Sequence, residues 1–447
     1  MTKTIDQMVR AAQSALKTFS TFNQEQVDKI TEAMCQAGVA ASTRLAEMAV
    51  AETGLGKVED KIVKNHFGSQ VVYDNMKGKK SVGILQDEGG ILEIAEPFGI
   101  IAGVTPTTNP TATTMFKCLS AIKGRNVIIL AFHPRAQQCS AEAARALLEA
   151  AVDAGAPANC IQWIEEPSVE ATNALMTHPD ISMVIATGGG AMVKAAYSSG
   201  HPALGVGPGN VPVYIEKTAN LNMAVGDIIA SKTFDYGTLC LTEQSVIFDD
   251  AAVAARALAL FVEKGAYLCS MEEKALLEEI MFDKARGVVA AQVVGQSPQK
   301  IAQLAGFSVP DAVNLLLVPL TAIGSEDWMS HEKLSPVLGW YIADGKDDAI
   351  DAAVRQLEFG GAGHTAVVFS NNEEILGEYA VKVPAGRVIF NQPSMHGVVG
   401  LYSAMTPSFT LGCGARGGNI TAENITFRHL LNIKRAARRL EPEPVEN

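Results

Sequence analysis

An α/β fold in two domains is what this sequence predicts, and three observations carry the prediction. Apolar runs of strand length (GIIAGV, NVIIL, CIQWI and ISMVIAT) recur from residue 99 onward. The segments between them have helical spacing, which implies parallel strand–helix–strand units. The chain has 447 residues, 48% of them hydrophobic and 19% charged, more than one simple core usually holds.

The elements follow in order. Residues 1–60 read as helices. Asn23 is a candidate N-cap with Gln26 three residues on, and Val27, Ile30 and Met34 follow at helical spacing. Residues 79–96 change character: VGIL, then Asp87-Glu88-Gly89-Gly90, then ILEIAE, a hairpin around a glycine turn. Residues 140–154 (SAEAARALLEAAVDA) read as a helix with Gly155 where a C-terminal cap is expected. VPVYI continues the strands after Asn210, and 221–231 reads as a helix. A second alternating region starts near Cys240 and runs to about Leu411, with a helix at 251–264. Its strands are expected near Leu315, Trp340, Ala366 and Val388. The tail, KRAARRLEPEPVEN, reads as a frayed terminus.

Composition excludes several classes. A net charge of −12 argues against a nucleic-acid binder. The seven cysteines (35, 118, 139, 160, 240, 269 and 413) are odd in number and lack CxxC spacing. They fit a reducing compartment and support neither a disulfide framework nor a metal site. The N-terminal stretch is amphipathic and not an apolar signal core, and no run approaches the ~20 apolar residues a membrane span needs. A soluble, cytoplasmic protein without a membrane partner is expected.

Five segments carry chemistry. Cys240 ends FDYGTLC, just after a glycine turn and before a strand, where a thiolate can face a cleft. Thr187-Gly188-Gly189 lies between a strand and a helix, where backbone can approach a nucleotide, although the GxGxxG fingerprint is absent. Asn109, between prolines 106 and 110, is a rigid amide donor suited to an oxyanion. His133 and Arg135 follow the strand NVIIL and offer two cations at a carboxyl end. Glu332, in HEKLSPV, is a carboxylate able to hold ribose hydroxyls, though a solvated charged turn is the commoner meaning.

The order of these segments resembles the aldehyde dehydrogenase superfamily across nearly the whole chain. The likeness is closer to its CoA-acylating branch, including the aldehyde dehydrogenase half of bifunctional aldehyde–alcohol dehydrogenases and CoA-dependent succinate-semialdehyde dehydrogenases. EDKIVKNHF, EPFGIIAGVTPTTNP, HPRA, ATGGGAMVKAAYSSG, GVGPGN, SKTFDYGTLCLTEQSV, KIAQLAGFSVP, HEKLSPV, GGAGHTA and LGCGARGGN carry it. The resemblance implies the aldehyde dehydrogenase fold: a Rossmann-like cofactor-binding domain (1–236, with an oligomerisation hairpin at about 80–97), a catalytic domain (237–415) and a C-terminal oligomerisation segment and tail (416–447). The hairpin and a strand-like 419–433 resemble dimerisation elements, so a homodimer or higher oligomer is expected. No alcohol dehydrogenase segment or encapsulation peptide is expected in this chain.

Carried over by position, the resemblance makes Cys240 the nucleophile, with Asn109 and the Cys240 backbone N–H as oxyanion donors. Thr187, Gly188, Gly189 and Gly207 would lie at the cofactor, His133 and Arg135 at its adenosine end. Glu332 would hold the nicotinamide ribose and Leu334 would stand behind the ring. The implied cofactor is NAD, with NADP open through Arg135, and coenzyme A is the implied co-substrate. His364, in GHT, is a candidate for deprotonating CoA or lining the acyl pocket; Glu243 and Asp235 read as structural, and Cys413 as a space-filler.

One departure bears on mechanism. Hydrolytic family members carry a glutamate that activates water, and the corresponding stretch here, 206–210 (VGPGN), has no carboxylate. Losing a general base typically costs roughly 10²–10⁴-fold, which lets a thiol displace the acyl group ahead of water. The expected reaction is reversible oxidation of a short aldehyde to acyl-CoA through a thioester. Where acetaldehyde-type sequences have tryptophan, this chain has Arg416, which suits an anionic aldehyde such as succinate semialdehyde or sulfoacetaldehyde. Acetaldehyde is the other expectation. The rivals are a hydrolytic aldehyde dehydrogenase and a non-catalytic assembly protein with this fold.

Overall fold

The computed structural model describes residues 3–439. Helix α1 (Ile5–Phe19) precedes the long α2 (Gln24–Thr53). The latter opens on a reciprocal Asn23–Gln26 capping box and closes at Gly54, whose φ of 68° needs no Cβ relief. Helix α3 (Val58–His66) runs through a π-turn into α4 (Val72–Met76). Strands β1 (Gly83–Glu88) and β2 (Ile91–Pro97) form the expected antiparallel hairpin.

The chain then enters a five-stranded parallel sheet. Its strands are β3 (Ile100–Val104), β4 (Val127–Ala131), β5 (Ile161–Trp163), β6 (Met183–Thr187) and β7 (Ala203–Val206), in the order β5-β4-β3-β6-β7. The crossovers are α5 (Pro110–Lys123), α6 (Gln137–Asp153), α7 (Val169–Met176) and α8 (Gly190–Tyr197). Strands β3 and β4 are buried along their whole length, which is why they read as continuous apolar runs.

A seven-stranded parallel sheet follows, in the order β10-β13-β14-β9-β8-β15-β16. Its members are β8 (Val211–Ile215), α9 (Leu221–Thr233), β9 (Glu243–Phe248), α10 (Ala251–Glu263), β10 (Ala266–Leu268) and α11 (Met271–Met281). A two-stranded ribbon, β11 (Phe282–Asp283) and β12 (Val288–Val289), branches off before α12 (Pro298–Ala305). The sheet is completed by β13 (Leu315–Pro319), β14 (Val337–Ile342), α13 (Gly345–Phe359), β15 (Gly363–Phe369), α14 (Glu373–Lys382) and β16 (Ala385–Phe390), with α15 (Ser394–Val399) after it. Finally β17 (Leu431–Ala437) pairs antiparallel with β2.

Two sequence expectations shift. The chain changes sheets at 207–210, well before 237, because β8 pairs with β9 and β15 of the second sheet. The strand at the C-terminus is 431–437 and not 419–433; 427–430 is a 3₁₀ turn. The basic run KRAAR is therefore not frayed. Lys434, Arg435 and Arg438 pair with Glu96, Glu93 and Asp87 of the acidic hairpin, across-strand contacts that fix the register. The tail beyond 439 lies outside the described residues. Among those residues no helix is long and apolar enough to cross a membrane, and no cluster suited to a metal ion occurs.

Candidate active site

The 207–210 crossover runs from the carboxyl end of β7 to the amino end of β8. Asn109 and Thr187 stand at carboxyl ends of the first sheet, and Gly209, Cys240, Glu332 and His364 at amino ends of the second. Cys240 follows a 3₁₀ turn (Phe234–Gly237) in which Asp235 and Tyr236 both adopt φ of 49°. Such a left-handed pair persists only where neighbours hold it. The Asp235 carboxylate binds Lys61 Nζ at 3.0 Å, Lys64 Nζ, Thr238 Oγ1 at 2.7 Å and the Lys57 N–H at 2.7 Å. Burial pushes this carboxyl up, but Lys64 and Lys61 outweigh it and hold it below the ordinary range. The turn is thus clamped by charge.

Cys240 is half-buried, and its Sγ lies 3.4 Å from His364 Nε2. His364 opens β15, fully buried, with Nδ1 2.9 Å from Thr365 Oγ1. With the proton on Nδ1 donated to Thr365, the Nε2 lone pair faces the sulfur. Burial and the nearby Arg387 guanidinium bring His364 down to about 3, so the ring is neutral. Burial, Glu332 and Cys413 push the Cys240 thiol up, opposed by Arg387. The resting pair is neutral thiol against neutral imidazole.

Asn109 sits at the N-cap position of α5 without making the usual capping bond. Its Oδ1 accepts from Lys64 Nζ at 2.7 Å, and the same ammonium reaches Thr238 Oγ1 at 3.0 Å, two residues before Cys240. Glu332 is buried, its Oε1 accepting from the Gly209 N–H at 2.9 Å. Burial raises its carboxyl to about 8, against Lys232 and Lys333. Leu334, half-buried, holds a left-handed φ of 43° that is costly for a branched apolar residue. A Cβ on Gly209 would lie 2.0 Å from the Cys240 carbonyl oxygen, so the crossover packs directly under the cysteine.

A cleft of about 600 Å³ lies over the first sheet, lined by Thr105, Phe132, His133, Thr187, Gly188, Gly189 and Arg286, among others. It fits an adenosine dinucleotide. The hydroxyls of Thr105 and Thr187 are buried without a hydrogen-bond partner among the described residues, Gly189 has open space where a Cβ would stand, and α8 begins there with its free N–H groups. His133 lines this cleft and is neutral, its pKa lowered by burial and Arg135. Arg135 does not line it: its guanidinium donates to the Thr53 carbonyl oxygen. Gly207 does not line it either, and its backbone instead bears on the Cys413 thiol.

Beside Leu239 lies a second, apolar pocket of about 80 Å³, formed by Val63, Lys64, Phe67, Phe234, Met395, Val399 and Phe409 with His396. Arg416 is exposed in the turn Ala415–Gly417 and is not part of this lining. Sequence reasoning missed Arg387, Thr365 and the roles of Lys61 and Lys64. Arg387 is buried among the carbonyls of His364, Gly412 and Ala422 and the Asn424 amide, with no carboxylate on it among the described residues. The only local signal was a pair of lysines three apart beside Asn65.

The model of the aldehyde dehydrogenase family matches residues 1–404. The chain is 44% identical to the bifunctional aldehyde-alcohol dehydrogenase AdhE of Escherichia coli (strain K12), over 98% of this chain and 50% of that protein. It is 38% identical to the acetylating succinate-semialdehyde dehydrogenase of Clostridium kluyveri, over 96% and 95%. An acetylating aldehyde dehydrogenase structure from Geobacillus thermoglucosidasius superposes with a TM-score of 0.95 at 45% identity, covering 99% of this chain and 98% of that one. The chain spans about half the length of the bifunctional curated relatives it matches.

Proposed function

The chain belongs to the aldehyde dehydrogenase family, and from that premise we propose that it oxidises a short apolar aldehyde to acyl-CoA through a thioester on Cys240. The observation that carries this reading is the 3.4 Å Cys240–His364 pair in a site whose 206–210 stretch has no carboxylate.

His364 Nε2 takes the Sγ proton as sulfur attacks the aldehyde carbon, and the carbonyl oxygen becomes an oxyanion. The Asn109 amide and the Cys240 N–H are the donors for that charge. A nicotinamide dinucleotide in the cleft would supply a two-electron hydride acceptor for the former aldehyde carbon. Thr105, Thr187, Gly188 and Gly189 would hold it, with Glu332 at the ribose and Leu334 behind the ring. Cys240 then carries the acyl group as a thioester. With the first proton passed on to solvent, His364 accepts the CoA thiol proton, the CoA sulfur attacks, and Cys240 leaves as a thiolate that takes this proton back from His364.

Water competes poorly. Glu332, the carboxyl bearing on Cys240, is raised to about 8 and so is mostly protonated at neutral pH. A thiol gives up its proton roughly seven pH units more easily than water does. Exchange of one thioester for another is nearly isoenergetic, so the reaction runs in both directions.

The apolar pocket beside Leu239, about 80 Å³ and lined almost wholly by apolar side chains, supports a short alkyl chain. Its one ammonium, Lys64, is already committed to Asp235, Asn109 and Thr238. The exposed Arg416 has no place in it. The test is acyl-CoA formation from acetaldehyde, propionaldehyde, succinate semialdehyde and sulfoacetaldehyde, each with NAD and with NADP, against Cys240→Ala. Acyl-CoA from the alkyl aldehydes that needs both Cys240 and CoA supports the reading. A kcat/KM higher for the anionic substrates contradicts the assignment of the pocket.

A further inference from the structure

In the motif EDKIVKNHF, Val63, Lys64 and Phe67 line the apolar pocket; its two lysines have no part in the chemistry just described, yet both reach the site. Lys64 is buried, and its ammonium spends its three protons on Asp235 Oδ2, Thr238 Oγ1 at 3.0 Å and Asn109 Oδ1 at 2.7 Å. An ammonium can only donate, so the end of the Asn109 amide that faces it must be oxygen. The flipped amide would set NH₂ against NH₃⁺. The Asn109 NH₂ group is therefore turned away from Lys64, with one proton directed at Thr108 Oγ1, 3.3 Å away, and the other left for a ligand. Lys61 braces the same turn by donating to the Thr108 carbonyl at 3.1 Å. Lys64 also lines the apolar pocket beside Leu239, at the border between the charge cluster and the space for substrate.

Given acyl transfer at Cys240, on which this rests, we infer that Lys64 is a positioning residue for the oxyanion donor. It fixes the Asn109 amide with its N–H toward the substrate carbonyl and sets a positive charge behind that amide. Two lysines meet one aspartate here, since the neighbouring Asp60 carboxylate is taken by Lys57 at 2.7 Å and by the Asp235 N–H at 2.7 Å. The surplus positive charge is balanced when the oxygen of the tetrahedral adduct becomes negative.

The experiment is a double-mutant cycle of Lys64→Met and Asn109→Ala, read as kcat and KM for CoA-dependent acetaldehyde oxidation, with thermal unfolding and NAD binding on each variant. Lys64→Met leaves Asp235 paired with Lys61, so the fold is expected to survive. Loss of one oxyanion donor costs about 10²–10³-fold in rate. Lys64→Met should lower kcat roughly 10–100-fold with KM and NAD binding within about threefold, and should add under about threefold once Asn109 is alanine. Should Lys64→Met fail to fold, Lys64→Gln, which keeps an N–H for Oδ1, replaces it in the cycle and should retain more kcat than the Asn109→Ala variant. Equal losses from the Lys64 substitution in both backgrounds, or an unchanged kcat, overturn the role of Lys64 alone. No CoA-dependent turnover in the parent overturns the chemistry beneath it.

Discussion

The cleft over the five-stranded sheet is lined mainly by glycines, prolines, hydroxyls and a neutral histidine, with Arg286 its one guanidinium among the described residues. The Cys240 side is instead packed with buried ionisable groups: Lys61, Lys64, Lys232, Lys333, Asp235, Glu332 and Arg387. The first region must admit a large, hydrated ligand and release it. Backbone N–H groups and unpaired hydroxyls do this without a strong prior commitment. The second must hold donors against a charge that exists only briefly, which demands groups already desolvated and already paired. Substitutions in the cleft should therefore move KM, and substitutions around the cysteine should move kcat and stability.

The largest effect is expected at Asp235. Asp235→Asn leaves two buried ammonium groups without a counterion, and breaking such a pairing costs roughly 3–5 kcal/mol. Urea unfolding should show that loss, and a loss below about 1 kcal/mol would mean that water enters the cluster. Next comes His364. His364→Ala should lower turnover by about 10²–10⁴-fold, as removal of a general base does, with NAD binding unchanged.

His364 also sets a pH dependence. Its pKa is brought from 6.5 to about 3, so between those values the unfolded chain binds a proton that the folded one does not. Its contribution is fully present above pH 6.5 and is lost as pH falls toward 3. His364→Gln should flatten that acid limb of the stability profile. Glu332, raised from 4.5 to about 8, acts with the opposite sign, and its contribution is lost as pH rises through 8.

Effects on the cleft side should be smaller. Thr187→Val removes one hydroxyl, worth about 1 kcal/mol, and should raise KM for NAD roughly fivefold at constant kcat. The smallest is Arg416→Trp, an exposed change expected to stay within about twofold on every aldehyde. A selective loss of activity on an anionic aldehyde in that variant would bring Arg416 into the site.

The same contrast explains what could be read from the sequence. Asn109, the Thr187 turn and Cys240 all stand at strand ends punctuated by glycine or proline, so local pattern placed them. The hairpin and most strands of both sheets were legible for the same reason, but the short β7 and β10 were not. Lys64 was not, because its partner Asp235 lies 171 residues away and neither residue is unusual in its own window. VPVYI reads correctly as a strand, but periodicity cannot say which sheet it joins, so the sheet change at 207–210 was placed too late. His133 and Arg135 are two residues apart and alike in sequence. Only packing against the end of α2 draws Arg135 to the Thr53 carbonyl and leaves His133 in the cleft.

The central claim, that Cys240 carries an acyl group which water removes slowly and CoA removes quickly, is tested most directly by intact-mass measurement of the enzyme mixed with acetaldehyde and NAD without CoA. The account predicts one reduced nicotinamide per active site, a persistent acetyl adduct on Cys240, and its immediate discharge as acetyl-CoA when CoA is added. Sustained nicotinamide reduction without CoA, with no adduct accumulating, would show that another group activates water and would contradict it.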